Sequence, residues 1–175
     1  MKAIQDHYPP EFAHCYGCGP ANVHGHHLKS YLVGDRTEAR FRPATMYSGG
    51  FPGNVFGGMI ASLMDCHGTA SAAAFAWRDR RRASGECGDA DADATHEGRG
   101  GNDGLGDGEG LVRFVTASLK LDFRRPTPLG VELTLIGELA ALEGRKARIT
   151  LALSAGDTVC VTGEMLAVQL PARHD

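Results

Sequence analysis

At 175 residues, of which 42% are hydrophobic and 22% charged, the chain has the length for one domain with a sizeable core. A formal net charge of −3 gives no global basis for binding nucleic acid or a membrane surface, and no uncharged apolar run has the character of a membrane span. The start at Met1 lacks the apolar stretch of a secretory signal, and five cysteines at 15, 18, 66, 87 and 160 do not form a disulfide framework, so a reduced, cytoplasmic protein is expected.

Residues 1–27 read as an irregular lead-in rich in Pro, Gly and His, followed by a single domain over 28–171. Leu28 to Val33 and Glu38 to Arg42 are expected to be short strands joined by a turn at Gly34-Asp35. Gly49, Gly50, Pro52 and Gly53 then break the chain before a helix that opens at Gly57-Gly58 and runs to Trp77. Residues 84–110 hold nine glycines and eight acids, with Leu105 as the one large aliphatic, and are expected to be a mobile insertion. Within it, residues 100–107 are similar to calcium-binding nonapeptide repeats, but a single imperfect copy cannot build a stacked roll, and no calcium is expected. Four strands follow, at 114–123, 131–141, 146–154 and 158–170, with hairpin signals at Glu143-Gly144 and Gly156-Asp157. In the first of them Val115, Ala117, Leu119, Leu121 and Phe123 alternate with polar residues. One buried helix followed by consecutive strands suits an α+β layer, an antiparallel sheet wrapped around the helix.

The helix carries the chemistry. Asp is a poor helix-interior residue, yet Asp65 stands among Met59, Ile60, Leu63 and Met64 in a run with almost no polar face, so it is expected to be at least partly buried. The helix start offers unpaired N–H groups and a positive dipole end, suited to a polarised carbonyl, and glycine there permits close approach. Gly58 and Asp65 are seven residues apart, roughly 10 Å along the axis. A donor and a base acting on one carbonyl must each lie about 3 Å from the reacting atoms. One helix can hardly supply both; two copies side by side can, which points to a site shared between subunits.

Residues 53–68 resemble the central helix of hotdog-fold acyl-CoA thioesterases of the phenylacetate-pathway (PaaI-type) group, in which an acid follows the second glycine by seven positions. Val115 to Pro126 is similar to the strand that follows the helix in that family, and Cys15 to Asn22 to the lead-in of one of its branches. The likeness spans most of 14–170 and implies a hotdog fold and hydrolysis of an acyl-CoA by a homodimer or dimer of dimers, without a cofactor. Two positions depart from the family: Phe56 stands where His usually precedes the glycines, and Gly50 where some members carry Asn, with Asn54 nearby but out of register.

The residues expected to act follow from both lines. Asp65 would serve as general base or as nucleophile. Gly58, with Gly57, would supply the oxyanion amide. Thr116 either positions water, as the resemblance implies, or is only a β-branched strand residue. Asn54 and Phe56 would border the substrate, and Lys120, Arg124 and Arg125 could meet the phosphates of coenzyme A. The spacing turns His67 away from Asp65. Cys15-x-x-Cys18, with His14, His24, His26 and His27 nearby, lacks the second cysteine pair of a zinc site, so these cysteines are read as small apolar packing groups and no metal is expected. A non-catalytic acyl-CoA-binding or sensing protein is the alternative that Phe56 favours.

Overall fold

The computed structural model describes residues 1–85 and 111–171. The acidic, glycine-rich stretch therefore lies, beyond Gly85, outside the described residues. One long helix, α1 (Gly57–Ala83), packs against an antiparallel sheet of β1 (Ser30–Val33), β2 (Arg36–Phe41), β3 (Phe114–Phe123), β4 (Leu133–Glu143), β5 (Lys146–Ala155) and β6 (Thr158–Gln169). The sheet order is β1-β2-β4-β5-β6-β3, which leaves β1 and β3 at the edges. The hairpin turns fall where the glycines stand: Gly34, Gly144 and Gly156 take φ of 55°, 55° and 56°, a left-handed conformation that costs glycine little.

The helix has no polar stripe because it is enclosed. From Ala70 to Trp77 every residue is buried, and the small side chains let the sheet come close. A Cβ at Gly68 would sit 2.6 Å from Met165 Sδ and 3.2 Å from Leu151 Cδ1, so that glycine sets the spacing of α1 over β5 and β6. The lead-in, expected to be irregular, forms two short 3₁₀ turns (Ile4–His7 and Pro10–Phe12) and is packed as well: Ala3, Ile4 and Cys18 are in the core. Gln5 fastens it to β1 through Nε2 to Ser30 Oγ (3.1 Å) and Ser30 N to its Oε1 (2.8 Å).

β3 departs from the simple alternation of its sequence. Thr116 pairs with Ala167 and Ser118 with Leu166, so Ala117 is an extra, bulged residue. The bulge changes which face each side chain takes. Beyond it Leu119 and Leu121 pack on the core, as the alternation predicts. Before it Phe114 is buried and Val115 is 44% exposed, the reverse of that pattern.

Candidate functional site

Asp65, half-buried in the third turn of α1, accepts a hydrogen bond of 2.5 Å at Oδ1 from Thr116 Oγ1. Only the bulge makes this possible, because it turns Thr116 to the helix side of β3. Asp65 and Thr116 are thus brought together from positions 51 residues apart.

The start of α1 forms a second cluster. Phe56 caps the helix without a side-chain hydrogen bond, and its own amide goes to Tyr47 O (2.8 Å). The amides of Met59 and Ile60 both turn back to Phe56 O. Those of Gly57 and Gly58 have no backbone acceptor among the described residues, so they are available as donors. A Cβ at Gly58 would overlap the Phe56 ring, which lies over the first turn. Beside it opens a cavity of about 460 Å³, lined by Asn54, Phe56, Gly57, Phe123, Arg124 and Arg125 among others.

The two arginines are held just past the end of β3, where the amides of Arg124 and Arg125 both donate to Cys160 O, at 2.8 and 3.0 Å. Lys120 does not line the cavity. It stands exposed on β3, 4.0 Å from the Asp122 carboxylate that the Arg124 guanidinium also approaches, at 3.7 Å. Thr127 escaped the sequence reading. It lines the cavity while nearly fully buried, and its Oγ1 has no partner among the described residues. No local pattern marks it, since its burial comes from the pairing of Val55 N with Thr127 O (2.8 Å).

His67 does point away from Asp65, into the core. Its Nδ1 lies 2.9 Å from Ser30 Oγ and its Nε2 3.4 Å from Thr37 Oγ1. Burial pushes its pKa down to about 4, so the ring is neutral and structural. The acid and the helix-start donors, by contrast, occupy different places: neither Asp65 nor Thr116 lines the cavity, and the cavity contains no acid of its own.

The family model described as "Thioesterase superfamily" matches residues 52–162. The chain belongs to the thioesterase superfamily. Among solved structures, a thioesterase superfamily protein from Shewanella loihica PV-4 is 38% identical, with 87% of this chain and 98% of that one covered and a TM-score of 0.57. The E. coli PaaI protein of the phenylacetic acid degradation operon matches at 10% identity over 78% of this chain and 74% of its own, with a TM-score of 0.54, a likeness of fold alone. No curated protein matches the sequence. The long helix on an antiparallel sheet is the hotdog fold of these thioesterase superfamily neighbours. Among the described residues, no helix of this thioesterase superfamily chain is long and apolar enough to cross a membrane.

Proposed function

We propose that the protein hydrolyses an acyl-CoA thioester at a site completed by a second copy of the chain. The observation that carries this reading is the separation of two complementary half-sites on one helix. Gly57, whose amide is unpaired like that of its neighbour Gly58, lines a cavity without an acid, while Asp65, oriented by Thr116, stands two turns further on. A partner helix lying alongside in the opposite direction would bring its Asp65 to this cavity and its own cavity to this Asp65. The edge position of β3, with Val115 44% and Phe123 55% exposed, offers the surface for such pairing.

In this arrangement the Gly58 amide polarises the thioester carbonyl, and Asp65 of the second copy either takes a proton from water or attacks the carbonyl carbon itself. The C–S bond breaks, coenzyme A leaves as the thiol, and water supplies the acid's second oxygen. Arg124 and Arg125 at the cavity suit the phosphates of the coenzyme. Support for the chemistry comes from membership of the superfamily, and support for the shared site from the geometry.

The test is a turnover screen over short, medium and aromatic acyl-CoAs, followed by Asp65→Asn and Gly58→Ala. Asp65→Asn should lose about 10²- to 10⁴-fold or more in rate, and Gly58→Ala, which keeps the amide but sets a methyl against the Phe56 ring where the carbonyl would approach, should lose turnover by obstruction. A mixed dimer of the two holds one intact site, so co-refolding them should restore turnover. If mixed dimers form and remain dead, the shared site is wrong. One observation favours a second reading: the Phe56 ring lies over Gly58, where a carbonyl would have to approach. Acyl-CoA binding without turnover of any thioester, with hydrolysis appearing in Phe56→His, would make the protein a binding or sensing member of the superfamily.

A further inference from the structure

The lead-in and the helix meet at three cysteines. Cys15 and Cys18 come from the turn that opens the lead-in's second half, and Cys66 from α1, next in sequence to Asp65. Their three Sγ atoms all lie within 4.8 Å of one another, and Cys15 Sγ is 3.6 Å from Cys66 Sγ. Three thiolates on a tetrahedral zinc, with Zn–S near 2.3 Å, stand about 3.8 Å apart. The sulfurs are therefore spaced as one ion would hold them.

The surrounding backbone is built for that approach. A Cβ at Gly17 would collide with Cys66 Sγ, so only glycine lets the turn lie against the helix there. The turn is closed by Gly19 N to Cys15 O (2.8 Å) and anchored by Leu28 N to Gly17 O (3.0 Å). The backbone amides of Gly17 and Cys18 are turned toward the Cys15 sulfur, beside the other two thiols. Amides donating to a sulfur are the support a metal-bound thiolate needs.

Charge agrees. Three thiolates on a divalent ion leave one net negative charge in a largely buried place. The Arg113 guanidinium interacts electrostatically with Cys18 and is stacked 3.6 Å over Tyr8, with a buried Nε that has no hydrogen-bond partner among the described residues. Its positive charge is available to balance the complex.

We propose that Cys15, Cys18 and Cys66 bind a thiophilic divalent ion, zinc first, clamping the lead-in to the central helix and leaving one coordination position on the half-buried Cys15 side. The cysteine pair at 15 and 18 looked incomplete in the sequence because its third ligand stands 48 residues further along and on another element. A disulfide would join two of these sulfurs and leave the third unused; a metal uses all three.

The experiment uses the full chain, free of any histidine tag and kept reduced, titrated with Co²⁺ and then Zn²⁺. The expected result is one equivalent of Co²⁺ per chain with thiolate-to-cobalt charge-transfer absorption, displaced by Zn²⁺, and a melting temperature that zinc raises. Cys15→Ser and Cys66→Ser should each weaken binding by more than the roughly 10- to 100-fold that loss of a supporting group costs, while Cys160→Ser keeps it. Should Cys66→Ser fail to fold, Cys15→Ser, at the more exposed corner, decides alone. Folded, reduced wild type that takes up neither ion overturns the proposal. So does charge-transfer absorption that persists undiminished in Cys15→Ser, or a disulfide among the three in protein handled without air.

Discussion

Replacing Thr116 by Val removes one hydroxyl from the candidate site and little else. Valine has nearly the same shape and favours a strand equally, so β3 and its bulge should persist. What disappears is the 2.5 Å donation to Asp65 Oδ1. A hydrogen bond to a charged group contributes about 1.5–3 kcal/mol, and each ~1.4 kcal/mol is tenfold in rate, so the full loss would be about 10- to 100-fold. Asp65 is only half-buried, so water can replace part of the lost donation and the lower end is expected, about tenfold in kcat/KM. Stability should fall by about 1 kcal/mol, or 2–4 °C in a chain of this size. The assay is release of free coenzyme A thiol from the best acyl-CoA, beside a melting curve, with Thr116→Ser as the variant that keeps the hydroxyl. Wild-type turnover in Thr116→Val, or equal damage in Thr116→Ser, would refute the idea that this hydroxyl orients the acid.

Three more outcomes follow from the same structure. Burial keeps His67 neutral down to about 4 whereas the unfolded chain takes up its proton near 6.5, so stability should be complete above about pH 6.5 and fall by up to about 3 kcal/mol toward pH 4. Urea midpoints across that range check it, and a profile that stays flat to pH 4.5 contradicts it. Gly137→Ala would place a Cβ 2.5 Å from Ser71 Oγ and 2.6 Å from Thr37 Oγ1, splitting the hydroxyl pair beneath β2, so a loss of about 1–3 kcal/mol is expected. An unchanged melting temperature would show that this contact yields freely. Val115→Lys puts a charge on the open edge strand and should shift light scattering from a dimer mass, or a multiple of it, toward the monomer while circular dichroism stays unchanged. Retention of the wild-type mass would remove β3 from the interface.

Much of the fold could be read from residue order because it is local. The hairpins announce themselves in Gly34, Gly144 and Gly156, and α1 in an apolar run too long for a strand. Asp65 was visible for a related reason: an acid in a run without a polar face has nowhere bland to go. The contacts that complete each cluster were not visible, because they depend on how elements meet. Val115, Ala117 and Leu119 alternate without a flaw in the sequence, and nothing there reveals that Ala117 is skipped in the pairing with β6. Thr116 therefore looked equally like a plain strand residue. Lys120 was grouped with Arg124 and Arg125 by charge and proximity in the chain; it approaches the same Asp122 carboxylate as Arg124 but does not line the cavity. Cys66 is a single apolar-looking residue until Gly17 brings the lead-in onto it.

The skipped residue in β3 makes the site depend on a count as well as on identities. Deleting Ala117 would remove only the extra residue: Thr116 would still oppose Ala167 and Ser118 would still oppose Leu166, so Phe114 and Thr116 would keep the helix side and the hydroxyl its place at Asp65. Pairing β3 with Ala117 in register, without the bulge, would do the opposite. Phe114 would swing out of the core, Val115 would swing in, and Thr116 would turn its hydroxyl away from the acid. Among related chains, a gap at this one position would therefore leave the donor in place, whereas a full-length strand paired without the bulge would lose it with the threonine intact.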